Sequence, residues 1–142
     1  MKEPNTVNRI KKELWLPHPI EKVWKAITQK DSISKWLAPT NFEAKEGFSY
    51  EINSKKEGCN QIFGKIKKAQ PYNLTYTWTE ASKEEIETEV SWQLSSKDNG
   101  TLVILEHISI TNNQSEEAIK LFNNFNQGWT HCLTQIKILL NR

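Results

Sequence analysis

The chain of 142 residues is short of the residues that staple or break a fold, with two cysteines, five glycines, five prolines and one methionine. Cys59 follows Gly58 in a turn-like stretch, and Cys132 falls within a helical pattern. Neither has a His or Cys partner at ligand spacing, which argues against a metal site. Both are expected to stay reduced in a cytoplasmic setting. No apolar run approaches the roughly 20 residues of a membrane span. The opening Met1-Lys2-Glu3-Pro4-Asn5-Thr6 has no apolar core behind its charge, so it does not read as a signal peptide. Residues 1–6 are expected to form a flexible tail, and 7–142 a single domain. An excess of one charge is also lacking: 19 Lys+Arg face 17 Asp+Glu, for a net charge of +2. That balance gives no strong field for nucleic acid or an anionic membrane. Lys65, Lys67 and Lys68 cluster, but they flank Ile66 as the wet face of a strand would. Motifs of familiar chemistry are missing too: no P-loop, no Gly-x-Ser-x-Gly, no His-Glu-x-x-His and no paired-cysteine zinc motif. No cofactor is expected.

What the chain has in abundance is tryptophan: Trp15, Trp24, Trp36, Trp78, Trp92 and Trp129. Each needs a large apolar site and, when buried, a partner for its indole N–H. Six in one small domain imply a heavily aromatic core or an aromatic-lined cavity.

Periodicity orders the elements. Residues 7–16 read as a strand ending at Pro17. Pro19 suits a first helical position, and Glu21 is placed to reach back to the cap. Ile20, Val23, Trp24 and Ile27 then repeat at helical spacing over about 19–29. Asp31 or Ser32 is suited to cap a second short helix carrying Ile33, Trp36 and Leu37, which stops before Pro39. Alternating segments follow: Phe48, Tyr50 and Ile52; Ile62, Gly64 and Ile66; Leu74, Tyr76 and Trp78; Ile86, Thr88, Val90, Trp92 and Leu94. Turns are expected at Lys55–Gly58 and at Lys97-Asp98-Asn99-Gly100, where Asn-Gly is the strongest hairpin signal. Leu102–Ile110 is apolar on both faces, as a central strand would be. The chain breaks at 111–114, and Ser115 is suited to cap a helix of about 26 residues. Its apolar stripe runs through Ala118, Leu121, Phe122, Phe125, Trp129, Cys132, Leu133, Ile136, Leu139 and Leu140.

These elements predict an α+β helix-grip fold. A curved antiparallel sheet of about six to seven strands wraps one long C-terminal helix, and two short helices after the first strand seal one end.

The ordered pieces resemble a known family. Pro19–Thr28 looks like its opening helix, Lys35-Trp36-Leu37-Ala38-Pro39 like its Trp-then-Pro loop, and Gly64–Leu74 like its Gly-x-Val-x-x-Ile-x-Pro-x-x-Leu element. Thr77-Trp78, Gly100–His107 and Gly128-Trp129-x-x-x-Leu133 look like its later strands and last helix. The family is the AHSA group (activator of heat-shock-protein-90 ATPase) of the START-like, or SRPBCC, superfamily. His18 before Pro19 and Glu46-Gly47 before the second strand depart from the usual pattern.

The resemblance implies a gap between sheet and long helix that can hold a small hydrophobic or aromatic ligand. Trp36, Phe48, Tyr50, Phe63, Tyr76, Trp78, Trp92, Phe122, Phe125 and Trp129 are candidates to line it or simply to fill the core. The hydroxyls of Tyr50 and Tyr76 are candidate polar contacts. Glu106 and His107 are adjacent on the last strand and must face opposite ways, so one of them faces inward. That residue is a polar anchor, a general base, or a structural group satisfied by its neighbours. Among the other histidines, His18 reads as a helix entry and His131 as a helix-surface residue.

Three functional readings follow. The first is a ligand-binding module, which requires a void of about 300 Å³ or more. The second, by analogy with the chaperone activator, is a protein-interaction domain with a chaperone as partner. The weakest is a cyclase- or hydrolase-type enzyme using Glu106 or His107. The chain reads as a monomer, or as a homodimer paired through a strand edge.

Overall fold

The computed structural model describes residues 9–53, 61–110 and 115–141. The expected tail, the Lys55–Gly58 turn, Cys59 and the 111–114 break lie outside them. Six strands and three helices follow one another as β1 (Arg9–Leu16), α1 (Ile20–Thr28), α2 (Lys30–Trp36), β2 (Ser49–Ile52), β3 (Ile62–Gln70), β4 (Asn73–Glu80), β5 (Thr88–Lys97), β6 (Gly100–Ser109) and α3 (Glu116–Leu140). A short 3₁₀ turn, Ala81–Lys83, separates β4 from β5.

The strands form one antiparallel sheet in the order β1-β6-β5-β4-β3-β2. Strands β2 to β6 are a meander, whereas β1 pairs with β6 over the full register from Arg9↔Ile108 to Leu16↔Thr101. The chain therefore crosses from one edge of the sheet to the other between β1 and β2, and α1 and α2 make that crossing. The curved sheet grips α3, as its periodicity predicts. Nine helix residues from Ala118 to Leu140 are buried, at the three-and-four spacing that keeps one face on the core. The Ser115 hydroxyl accepts from the Ala118 amide at 3.1 Å and caps the helix as expected.

Local chemistry moves some boundaries. Pro19 stands one position before α1, where its carbonyl accepts from the Lys22 and Val23 amides. No side chain caps that helix, so Glu21 does not reach back. Extended Gln29 both ends α1 and starts α2, which begins ahead of the expected caps Asp31 and Ser32. The β5–β6 hairpin turns on Asp98 and Asn99, at φ 51° and 62°, the positive pair that a tight two-residue turn needs. Gly100 is instead the first residue of β6. A Cβ there would stand 2.3 Å from the Leu16 carbonyl oxygen and 2.7 Å from the Trp15 ring. The glycine is required by that close approach, not by the turn.

Candidate ligand cavity

The inner face of the sheet is filled first by aromatic rings. Trp36 packs edge-on to Trp92 at 5.8 Å and tilted against Trp129 at 6.5 Å. Its indole N–H donates to the Ala26 carbonyl at 2.8 Å. Trp92 donates to the Tyr76 hydroxyl at 2.9 Å, and Tyr50 donates to the Thr77 carbonyl. Burial pushes both phenols up, so they stay protonated. The expectation that these hydroxyls meet a ligand gives way: each is spent inside the core.

His107 is the inward member of its pair and is fully buried. The Trp129 indole N–H donates to His107 Nδ1 at 2.9 Å, so the ring proton sits on Nε2. That N–H faces the Thr88 hydroxyl at 2.7 Å, and the hydroxyl donates to the Trp78 carbonyl at 2.6 Å. A one-directional chain thus ties α3, β6, β5 and β4 together, with every group in it satisfied. Phe125 stacks on the imidazole with centroids 4.4 Å apart, and Phe122 lies 5.4 Å away. Burial pushes the His107 pKa down to about 3. The ring is a neutral structural group with both nitrogens engaged, so the general-base reading does not suit it. Glu106 points to the opposite face, where it pairs with Arg9 of β1. It has no place in an inner cavity, because alternation sends it outward once His107 faces in. Phe63 is likewise on the outer side, 36% exposed, and Phe48 is half-buried just ahead of β2.

The aromatic packing stops short of one end. A cavity of about 680 Å³ opens between the first half of α3 and the sheet end where β2 finishes, β3 begins and β4 finishes. Its apolar wall comes from Trp78, Phe125, Trp129, Leu121, Leu37, Ala38, Ile52 and Ile62. Its mouth carries Glu80 and Lys83 on one side and Glu117, Lys120, Asn124 and His131 on the helix side. Of the predicted lining residues, Trp78, Phe125 and Trp129 meet here. Trp36, Tyr76, Trp92, His107 and Phe122 stand behind the wall as core, and Tyr50 and Phe63 border a separate pocket of about 400 Å³ beside β2 and β3.

Sequence reasoning missed two small residues that line this space. Gly128 lies in mid-helix and lines the cavity, and a Cβ built on it meets nothing within 4 Å. Glycine in a helix interior costs about 1 kcal/mol relative to alanine. That unexplained glycine within a helical pattern was the available signal. Cys132, one turn on, also lines the wall, and burial pushes its thiol up to about 12, so it stays an unreactive small hydrophobe. The wall therefore offers apolar contact and one thiol, and one indole donor lies sealed just behind it. That indole belongs to Trp78, which is 5% exposed and whose Nε1 has no hydrogen-bond partner. An orphaned buried donor costs about 1–3 kcal/mol.

The comparisons agree with this architecture. The family model described as Activator of Hsp90 ATPase homolog 1-like protein matches residues 17–141. No curated protein matches the sequence. Among solved structures, the fold is similar to that of protein MLL2253 from Mesorhizobium loti, at TM-score 0.84 and 23% identity over 95% of this chain and 98% of that one. It is similar to the Aha1 dimer from Colwellia psychrerythraea, at TM-score 0.70 and 22% identity over 92% and 93% of the two chains. It is also similar to CalU16 from Micromonospora echinospora, at TM-score 0.69 and 22% identity over 96% and 80%.

Proposed function

We propose that this chain, which belongs to the family of activator of Hsp90 ATPase homolog 1-like proteins, binds a small apolar or aromatic molecule between its sheet and its long helix. The observation that carries the reading is the cavity of about 680 Å³, lined by a mid-helix glycine and walled by three aromatic rings. That volume lies within the roughly 300–1,000 Å³ of ligand pockets, and the charged mouth leaves the wall apolar. Affinity comes from apolar burial at about 25 cal/mol per Å² before the costs of binding are subtracted.

The test is a thermal-shift screen with an apolar aromatic panel, repeated on Gly128→Leu, whose side chain intrudes on part of the cavity. A ligand present at a hundred times its Kd adds about 2.7 kcal/mol of stability, several degrees in Tm. Binding by the parent and smaller shifts in the variant are expected. A panel without any shift, or equal shifts in the variant, refutes the reading. The family description supports a second reading, a protein-interaction domain acting on a chaperone. It predicts that the purified chain stimulates a heat-shock-protein-90 ATPase. If it does so equally after Gly128→Leu, the cavity is irrelevant to that activity.

A further inference from the structure

The indoles of this domain are treated unequally. Among the described residues, Trp36, Trp92 and Trp129 are buried, and each donates its N–H to a protein acceptor. Even the half-exposed Trp15 donates to the Lys97 carbonyl at 2.7 Å. Among the four buried indoles Trp78 is the exception: without a partner, and on the cavity wall. The fold can satisfy a buried indole and does so elsewhere, so the exception marks a donor with unused bonding capacity beside the cavity.

We infer that the ligand of this cavity is a neutral, mainly apolar molecule carrying a hydrogen-bond acceptor, such as a carbonyl oxygen, that takes the Trp78 Nε1–H. The inference rests on the binding reading above and specifies its chemistry. Neutrality follows from where charge lies. Lys83 and Lys120 stand at the mouth, whereas Phe125 and Trp129 pack on the Trp78 ring, with centroids 6.2 Å and 5.5 Å from it. An anion at the indole would be buried among rings with no cation beside it, which is unfavourable. A neutral acceptor meets the donor without that cost. The Trp78 nitrogen is sealed by its neighbours, so an incoming acceptor reaches it as the indole turns or Phe125 gives way. The new hydrogen bond favours that movement.

A matched pair of probes tests this: fluorenone, which has a carbonyl, and fluorene, which is close in shape and lacks it. Binding is followed by quenching of tryptophan fluorescence and by indole N–H signals of nitrogen-15-labelled protein. Fluorenone is expected to bind about tenfold more tightly than fluorene, the ratio that 1.4 kcal/mol represents. It should also shift the Trp78 indole proton, which fluorene should not. In Trp78→Phe the preference for fluorenone over fluorene should vanish, whatever loss of affinity the two probes share. If that variant fails to fold, the indole shift in the parent decides alone. Equal binding of the two probes with no Trp78 shift overturns the inference and leaves the cavity reading standing. A carbonyl preference that survives Trp78→Phe overturns it as well. Binding of neither probe counts against the cavity reading and this inference together.

Discussion

Lowering the pH from 7.5 to 5.0 should cost this domain about 2 kcal/mol of stability through His107 alone. The ring is neutral in the fold, with Nδ1 accepting from Trp129 and Nε2–H facing Thr88. A second ring proton would point Nδ1–H at the Trp129 N–H, donor against donor. The packed neighbours are Trp78, Phe122, Phe125 and Trp129, none of which carries charge. The sign follows from linkage. Unfolded, the imidazole takes up a proton below about pH 6.5, whereas folded it resists down to about 3. Between those values the unfolded state binds more protons. Stability is therefore complete above about 6.5 and falls by up to about 1.4 kcal/mol per pH unit below it. Stopping at pH 5.0 keeps most carboxylate titration out of the window. The assay is urea unfolding followed by tryptophan fluorescence at several pH values, for the parent and for His107→Gln. The amide has hydrogen-bonding atoms but no titration, and any contribution from His18 or His131 is common to both proteins. The parent curve should fall by about 2 kcal/mol relative to the variant's. Parallel curves, or a His107 pKa above 5 in an NMR titration, refute the reasoning.

Three further outcomes follow from named contacts. Gly128→Ala should raise stability by roughly 1 kcal/mol, since a Cβ there clashes with nothing and alanine favours the helix; the same urea titration measures it. Gly100→Ala should lower stability by about 3 kcal/mol, the upper end for overpacking, because the new Cβ meets the backbone oxygen of Leu16, which cannot swing aside, as well as the Trp15 ring. Thermal unfolding would show this as a large fall in Tm. Ser115→Ala should cost about 1 kcal/mol and increase amide exchange at Ala118, which loses its capping acceptor.

The helix-grip fold was legible because its two signals are periodic. The stripe from Ala118 to Leu140 repeats at three and four, and Leu74-x-Tyr76-x-Trp78 and Val90-x-Trp92-x-Leu94 repeat at two. Those patterns say which residues share a face, and all of them but the partly buried Leu139 proved buried. They do not say which of two faces is inward where both are apolar, as on β6. There the choice between Glu106 and His107 depended on the register with β1 and β5. Nor does alternation separate rings that fill a core from rings that border a space. Trp92 and Trp78 lie on the same kind of inward position, yet only Trp78 reaches the end of the sheet that α3 leaves uncovered. Ile52 and Ile62 became cavity wall through strand ends meeting in space. Gly128 and Cys132 line it because they are small, a property that hydrophobic patterning ignores.

The pairing of β1 with β6 sets an order of events. Arg9 finds Ile108, and Leu16 finds Thr101, so the first strand has no ladder partner until most of the chain has been made. The helix that covers the inner face comes later still. A ribosome making this protein from its N-terminus releases a nearly complete meander whose Trp78 lacks the Phe125 and Trp129 rings, and whose Trp92 lacks the Trp129 ring, until α3 emerges. Contacts so distant in sequence slow folding, and an uncovered aromatic surface invites association in the interval. The long helix is thus the step that turns an association-prone sheet into a finished domain, and its late arrival fixes how long each new chain remains exposed.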